Sequence, residues 1–147
     1  MSYKGRFQPK NYKKYKGDPT NVIYRSLLER RFMIYCDTNS NVLEWSSEEI
    51  VVPYVSPLDN RYHRYFVDFW IKYRDKNGII KTCLVEVKPH SQTSPPKVKE
   101  TPKGKYTRRF LNEVATWGVN QAKWTAAEEY CKDRNWEFKI ITEKHLT

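Results

Sequence analysis

The sequence predicts one α/β domain, a central mixed β-sheet flanked by α-helices. Three observations carry that expectation. Residues 61–74 alternate strictly, with Tyr65, Val67, Phe69, Ile71 and Tyr73 on one face and Phe66, Asp68, Trp70 and Lys72 on the other, which is the period of a strand. Lys76-Asn77-Gly78 then reverses the chain into a second apolar run, residues 79–88, and so makes a hairpin. Helical patterns stand on both sides of this hairpin. A length of 147 residues favours a single core.

Taken in order, residues 1–17 carry Lys4, Arg6, Lys10, Lys13, Lys14 and Lys16 with no acid, and interleave Tyr3, Phe7, Tyr12 and Tyr15. No periodicity runs through them. They read as a flexible basic arm that lies on phosphates, or equally as a solubilising tail, with the folded domain spanning 18–147. Asp18-Pro19-Thr20-Asn21 is a helix start signal, with Thr20 or Asn21 as N-cap, and helix is expected to about Cys36. Tyr24, Leu28, Phe32 and Tyr35 fall near helical spacing, and Glu29 sits beside their stripe. Ser26-Leu27-Leu28-Glu29 also matches a capping box, in which Glu29 would only hold a backbone N–H. Residues 42–55 read as extended, with Pro53 marking an edge. Ser56-Pro57-Leu58-Asp59-Asn60 is a turn. Residues 90–105 are rich in Ser, Pro, Thr and Lys and read as a flexible basic loop. Two helical runs follow, 106–117 with Phe110, Val114 and Trp117 on one side, and about 120–134; Gly118 between them either breaks the pattern or merely weakens it. Trp136, Phe138 and Ile140 alternate as a last strand. No internal repeat is present.

The chemistry concentrates at Cys83-Leu84-Val85-Glu86-Val87-Lys88-Pro89. Alternation puts Glu86 and Lys88 on one face of a strand that Pro89 ends. A surface Glu-x-Lys pair is the plain alternative. Asp68 is an acid inside an otherwise apolar strand, costly unless paired, bonded or metal-bound. Register decides whether the two acids meet. A two-residue Asn-Gly loop pairs Lys76 with Ile79 and sends Asp68 and Glu86 to opposite faces. A three-residue loop with Gly78 in the left-handed region pairs Asp75 with Ile79, and sets Asp68 opposite Glu86 with Lys88 beside Phe66. The three-residue loop is preferred. Carboxylates converging at a strand end suit Mg²⁺, with Mn²⁺ a substitute. This ion prefers oxygen ligands, and Lys88 beside it would orient a water or steady the transition state.

Composition narrows the partners. Lys and Arg outnumber Asp and Glu 27 to 17, a net charge of +10, which favours a polyanion and above all nucleic acid. Candidate DNA contacts are Lys10, Lys13, Lys14 and Lys16 of the arm, and Lys97, Lys99, Lys103, Lys105, Arg108 and Arg109 of the loop and its exit. No apolar run has the length of a membrane span, and the N-terminus lacks the apolar core of a signal peptide. Cys36, Cys83 and Cys131 have neither zinc nor disulfide spacing and are expected as buried thiols. No Gly-rich phosphate loop appears, which argues against a nucleotide cofactor. His63, His90 and His145 lack ligand spacing.

The order helical Glu, strand Asp, then Glu-x-Lys resembles the PD-(D/E)XK nuclease superfamily, with its restriction-endonuclease-like fold. Asp68 and Glu86-Val87-Lys88 match its core motif, although Val67 stands where the superfamily has Pro. Tyr24-Arg25-Ser26-Leu27-Leu28-Glu29 is similar to the helical Ser-x-x-Glu motif of the branch that holds the end-cutting subunit of certain transposases. Asn120-Gln121-Ala122-Lys123-Trp124 and Phe138-Lys139-Ile140-Ile141-Thr142-Glu143 are similar to that branch's helix–strand close. Size and whole pattern look closest to the head-completion nucleases of T-even-type tailed phages. The resemblance spans roughly residues 20 to 145. It implies Glu29, Asp68, Glu86 and Lys88 as catalytic residues, with Asp68, Glu86 and Glu29 on the metal. Gln121 and Lys123 are weaker carry-overs, Lys123 toward DNA. The implied activity is a Mg²⁺-dependent DNA endonuclease of phage head completion, working in the host cytoplasm during assembly or carried in the virion, with head or portal proteins as partners. Two alternatives stand beside it: a non-catalytic DNA-binding or virion structural protein that keeps the nuclease fold, and an end-cutting transposase subunit.

Overall fold

The structure, a computed structural model, describes residues 3–98 and 101–146. Its centre is the four-stranded sheet β3-β6-β7-β8, built from β3 (Val42–Ser47), β6 (Phe69–Arg74), β7 (Ile80–Val87) and β8 (Glu137–Ile141). β3, β6 and β7 run antiparallel in turn, and β8 lies parallel to β7, so the sheet is mixed. The parallel pair is joined through the 26-residue helix α2 (Arg108–Asp133), as a parallel connection requires. Two ribbons stand apart from this sheet. One pairs β1 (Gly5–Phe7) with β2 (Val22–Tyr24); the other pairs β4 (Val51–Val55) with β5 (Tyr62–Phe66).

Helices cover the sheet on both faces. α1 (Leu27–Thr38) buries Phe32, Met33 and Cys36 against Val42, Trp45, Phe69, Ile71, Cys83, Val85 and Val87. α2 buries Trp124, Ala127 and Cys131 against Leu84, and the β4–β5 ribbon adds Val52, Tyr54, Tyr65 and Val67 to that layer. β7 is therefore buried from Cys83 to Val87 on both faces, which is why its sequence reads as a nearly unbroken apolar run. The three cysteines are free and buried. No helix among the described residues is long and apolar enough to cross a membrane.

Four expectations need correction. First, the basic N-terminal stretch is no loose arm between residues 5 and 15. Phe7 and Tyr15 enter the α1-side core, both packed edge-on to Trp45. The buried Asp37 carboxylate also accepts the N–H groups of Lys10 and Asn11, each at 2.9 Å. Tyrosines and Phe at irregular spacing gave no periodic signal, yet Phe7 and Tyr15 each found a slot. Second, α1 begins at Leu27, not at residue 20 or 21. Val22–Tyr24 pair with Gly5–Phe7 instead, and Ser26 is the N-cap, its Oγ accepting from Glu29 N at 3.0 Å. Third, the two helical runs are one helix, so of the two readings of Gly118 the weaker one holds. α2 runs through it, since tertiary packing on both sides outweighs the ~1 kcal/mol that Gly costs inside a helix. Fourth, residues 61–74 are two strands. The chain bends at Val67-Asp68 as it leaves the β4–β5 ribbon for the main sheet. That bend shifts the alternation by one residue: Tyr65 and Val67 join the α2 layer, while Phe69 and Ile71 join the α1 layer.

Candidate active site

The hairpin register is the one that brings the acids together. Asp75 N–H donates to Ile79 O at 2.9 Å, Gly78 N–H donates to Asp75 O at 3.0 Å, and Gly78 has φ +77°. From that three-residue loop the pairs run Arg74↔Ile80 to Phe69↔Val85. One step further sets Asp68 opposite Glu86. Beyond Phe69 the ladder opens. Val67 N–H turns away to Ile50 O (3.1 Å), and Asp68 O accepts from Glu48 N (3.0 Å). Val87 N–H, whose ladder partner would have been Val67, donates to Asp68 Oδ2 at 2.8 Å instead. The bend thus substitutes a carboxylate for a backbone carbonyl and aims it at the end of β7.

Glu86 is 6% exposed, and its Oε2 accepts a hydrogen bond from Tyr65 OH. Lys88, next on the same face, holds its Nζ 3.8 Å from Glu86 Oε1. Its backbone N–H donates to Ile141 O at 3.0 Å, which continues the β8 pairing past the last β7 residue. Lys123 on α2 places its ammonium 5.5 Å from the Tyr65 ring centre and adds positive potential at Glu86. Glu29 lies in the first turn of α1, where its carboxylate accepts from Arg25 N at 2.8 Å. The backbone-holding role of Glu29 is therefore realised, one residue before the usual capping-box donor. Arg25 pairs in turn with Glu48, which sits at φ 56°.

Electrostatics mark the same cluster. Burial pushes the Asp68 carboxyl well up, and the Glu86 carboxylate pushes it further. Burial also raises Glu86 and Glu29, while the Tyr65 hydroxyl and Lys88 pull Glu86 back. Burial raises the Tyr65 phenol, with Glu86 adding to it. Enclosed acids that resist ionising together are stabilised as carboxylates by a cation placed between them. Among the described residues no three His, Cys, Asp or Glu side chains close round one point. Mg²⁺ does not need such a cage, being held by one or two carboxylates with water and phosphate oxygens completing the shell. The Asp68–Glu86 pair fits that requirement; Glu29 stands beside it with one carboxylate oxygen engaged at the helix entry.

The basic residues divide. Lys10, Lys13, Lys97, Lys103, Lys105 and Arg108 are exposed. Lys14 donates to Asp37 O and Asn39 O at 3.2 and 2.9 Å, closing the C-terminus of α1. Lys16 pairs with Glu44, and Arg109 with Glu113. Asp37 lies eight residues beyond Glu29, so the N-terminal lysines gather roughly 12 Å along α1 from it. Lys99 falls outside the described residues. Gln121 is exposed. His63 pairs with Asp59 at 2.8 Å and His145 closes a cap at Thr142, which removes both from the site. Sequence reasoning missed Tyr65, because strict alternation placed it on the face away from Glu86. It missed the Arg25–Glu48 pair as well, for which no spacing signal exists.

A bent strand that delivers an acid to the end of its neighbour, between two helical layers, is the framework of an endonuclease domain. The chain belongs to the TnsA-like endonuclease family, whose N-terminal domain matches residues 39–143. It is also 38% identical to the Head completion nuclease of Enterobacteria phage T4 over 146 residues, covering 99% of this chain and 95% of that relative.

Proposed function

We propose that the protein is a Mg²⁺-dependent DNA endonuclease of phage head completion. The observation that carries this reading is the meeting of Asp68, Glu86 and Lys88 at one strand end. Family membership and the full-length relative named as a head completion nuclease support it. Asp68 and Glu86 would hold the ion, which supplies polarisation of the phosphoryl oxygen and activation of a water. Tyr65 keeps Glu86 oriented and eases its ionisation. Lys88 faces the reacting phosphate as a fixed positive charge, stabilising the charge that develops in the transition state. Glu29 acts one step back, fixing the entry of α1 and adding negative charge beside the pair. The +10 net charge supplies sequence-independent attraction to DNA. Head or portal proteins are the proposed partners, and the host cell during assembly is the proposed place of action.

Supercoiled plasmid incubated with the protein in Mg²⁺, in Mn²⁺ and in EDTA tests the reading. Relaxed or linear product is expected with either ion and none in EDTA. Tight binding without cutting of any DNA form would replace the nuclease with a non-catalytic DNA-binding protein of the same fold.

A further inference from the structure

A cleft of about 870 Å³ lies between the segment after β7 and the N-terminal half of α2. Its walls carry Gln92, Arg108, Arg109, Asn112, Trp117 and Asn120. Four features bear on what it holds. Asn120 is 8% exposed, lines the cleft, and its side chain makes no hydrogen bond among the described residues. Its amide is not sealed in the core but keeps contact with solvent, so its donor and acceptor are free to bond what enters the cleft. Trp117 is part-buried in the wall, held edge-on to Trp124 with ring centres 5.9 Å apart, so an aromatic surface is fixed in place. Glu113, the acid of the lining, is paired with Arg109 at 3.1 Å, which leaves the Arg108 charge uncancelled there. The cleft's lining also lies close along the chain to the proposed catalytic residues. Gln92 follows Lys88 by four residues, and Asn120 precedes Lys123 by three, about 4.5 Å of helix rise.

Amides, a fixed aromatic ring and arginines are the groups that receive a nucleotide: the ring stacks a base, amides read its edge, and arginines meet the phosphates. A base in a duplex is stacked and paired and has no free face for such a pocket. We propose that this cleft holds an unpaired segment of the DNA strand next to the scissile phosphate, so that the protein selects frayed, tailed or bubble DNA over continuous duplex. The assignment rests on the nuclease reading above and deepens it. Asn120 and Trp117 set this selectivity, and Arg108 anchors the strand's far end some 18 Å along α2.

The test measures affinity in EDTA, where no cutting intervenes, for one duplex made blunt, single-strand-tailed or with a central bubble. Tailed and bubble DNA are expected to bind about tenfold or more tighter than blunt DNA, the scale of one stacked base. Asn120→Ala, Trp117→Leu and Gln92→Ala should each narrow that ratio. Gln92 is exposed and outside the core, so its variant reports even where a core substitution unfolds the domain. A 2-aminopurine in the tail should change fluorescence on binding, and less so with Trp117→Leu. Equal affinity for all three DNA forms, or a ratio untouched by all three variants, overturns the proposal. Free nucleotides competing as well as tailed DNA would also overturn it, since the site would then hold a small molecule. Cleavage with Mg²⁺ on the same substrates separates the two readings: selective binding without cleavage defeats the nuclease and leaves the cleft, while cleavage without selectivity does the reverse.

Discussion

The hairpin loop sets the register on which the site depends, and Gly78→Val perturbs it at one point. Gly78 has φ +77°, and a Cβ added there would meet nothing within 4 Å. No clash contributes, so the cost is that of an L-residue in the left-handed region, about 1–2 kcal/mol, with valine's β-branch placing it at the upper end. For a domain of 147 residues that corresponds to a fall in Tm of about 2–8 °C. Gly78→Asn should lose much less, because Asn tolerates this region. Thermal melts followed by circular dichroism, with urea melts as a check, measure both. If the strained loop relaxes instead by adopting a two-residue turn, Asp68 and Glu86 part to opposite faces, and cleavage falls far more than stability does. A Gly78→Val protein as stable and active as its parent refutes the loop geometry and the register argument together.

Three further outcomes follow from the site and its surroundings. In EDTA, Asp68 and Glu86 hold protons more tightly folded than unfolded, since burial raises both above their ordinary 3.8 and 4.5. Their contribution to stability is present below those values and fades as pH rises through the folded-state pKa; urea melts across pH should show the fall, Mg²⁺ should reduce it, and Asp68→Asn should flatten it. Tyr65→Phe removes the hydroxyl that favours the Glu86 carboxylate, so the acid limb of the pH–rate profile should move to higher pH and neutral activity should drop about tenfold, the scale of a hydrogen bond to a charged group. Deleting residues 1–16 strips Phe7 and Tyr15 from the core and should cost more than about 3 kcal/mol, whereas Lys10→Ala with Lys13→Ala should leave the melt unchanged and lower the log–log salt slope of DNA binding by about 0.9 for each phosphate no longer neutralised.

Much of the site was legible because local rules acted without interference. The αL preference of Gly78 and the alternation of residues 79–88 were enough to place Asp68 across from Glu86 and Lys88 on the same face. β8 followed from its alternation in the same way. What could not be read depended on tertiary competition. Val22–Tyr24 carry helical spacing, but pairing with Gly5–Phe7 takes them into a ribbon and delays α1 to Leu27. The bend at Val67-Asp68 is made by backbone bonds to Ile50 and Glu48, residues remote in sequence, and it alone brings Tyr65 to Glu86. Gly118 looked like punctuation, yet nothing at its position forces the helix to stop. Glu29 carried two readings from the start; the helix-entry contact is present, and its charge raises the Asp68 carboxyl, while a part in catalysis remains the proposal.

The central claim is that Asp68 and Glu86 serve the ion and the chemistry, whereas DNA is held by the basic surface. Cleavage and DNA affinity measured side by side for Asp68→Asn and Glu86→Gln test it most directly. Each substitution keeps shape and removes a negative charge. The account predicts cleavage nearly abolished in Mg²⁺, with affinity in EDTA unchanged or slightly tighter, since a charge that repels phosphate is gone. Cleavage that survives both substitutions, or that the parent carries out equally well in EDTA, contradicts it.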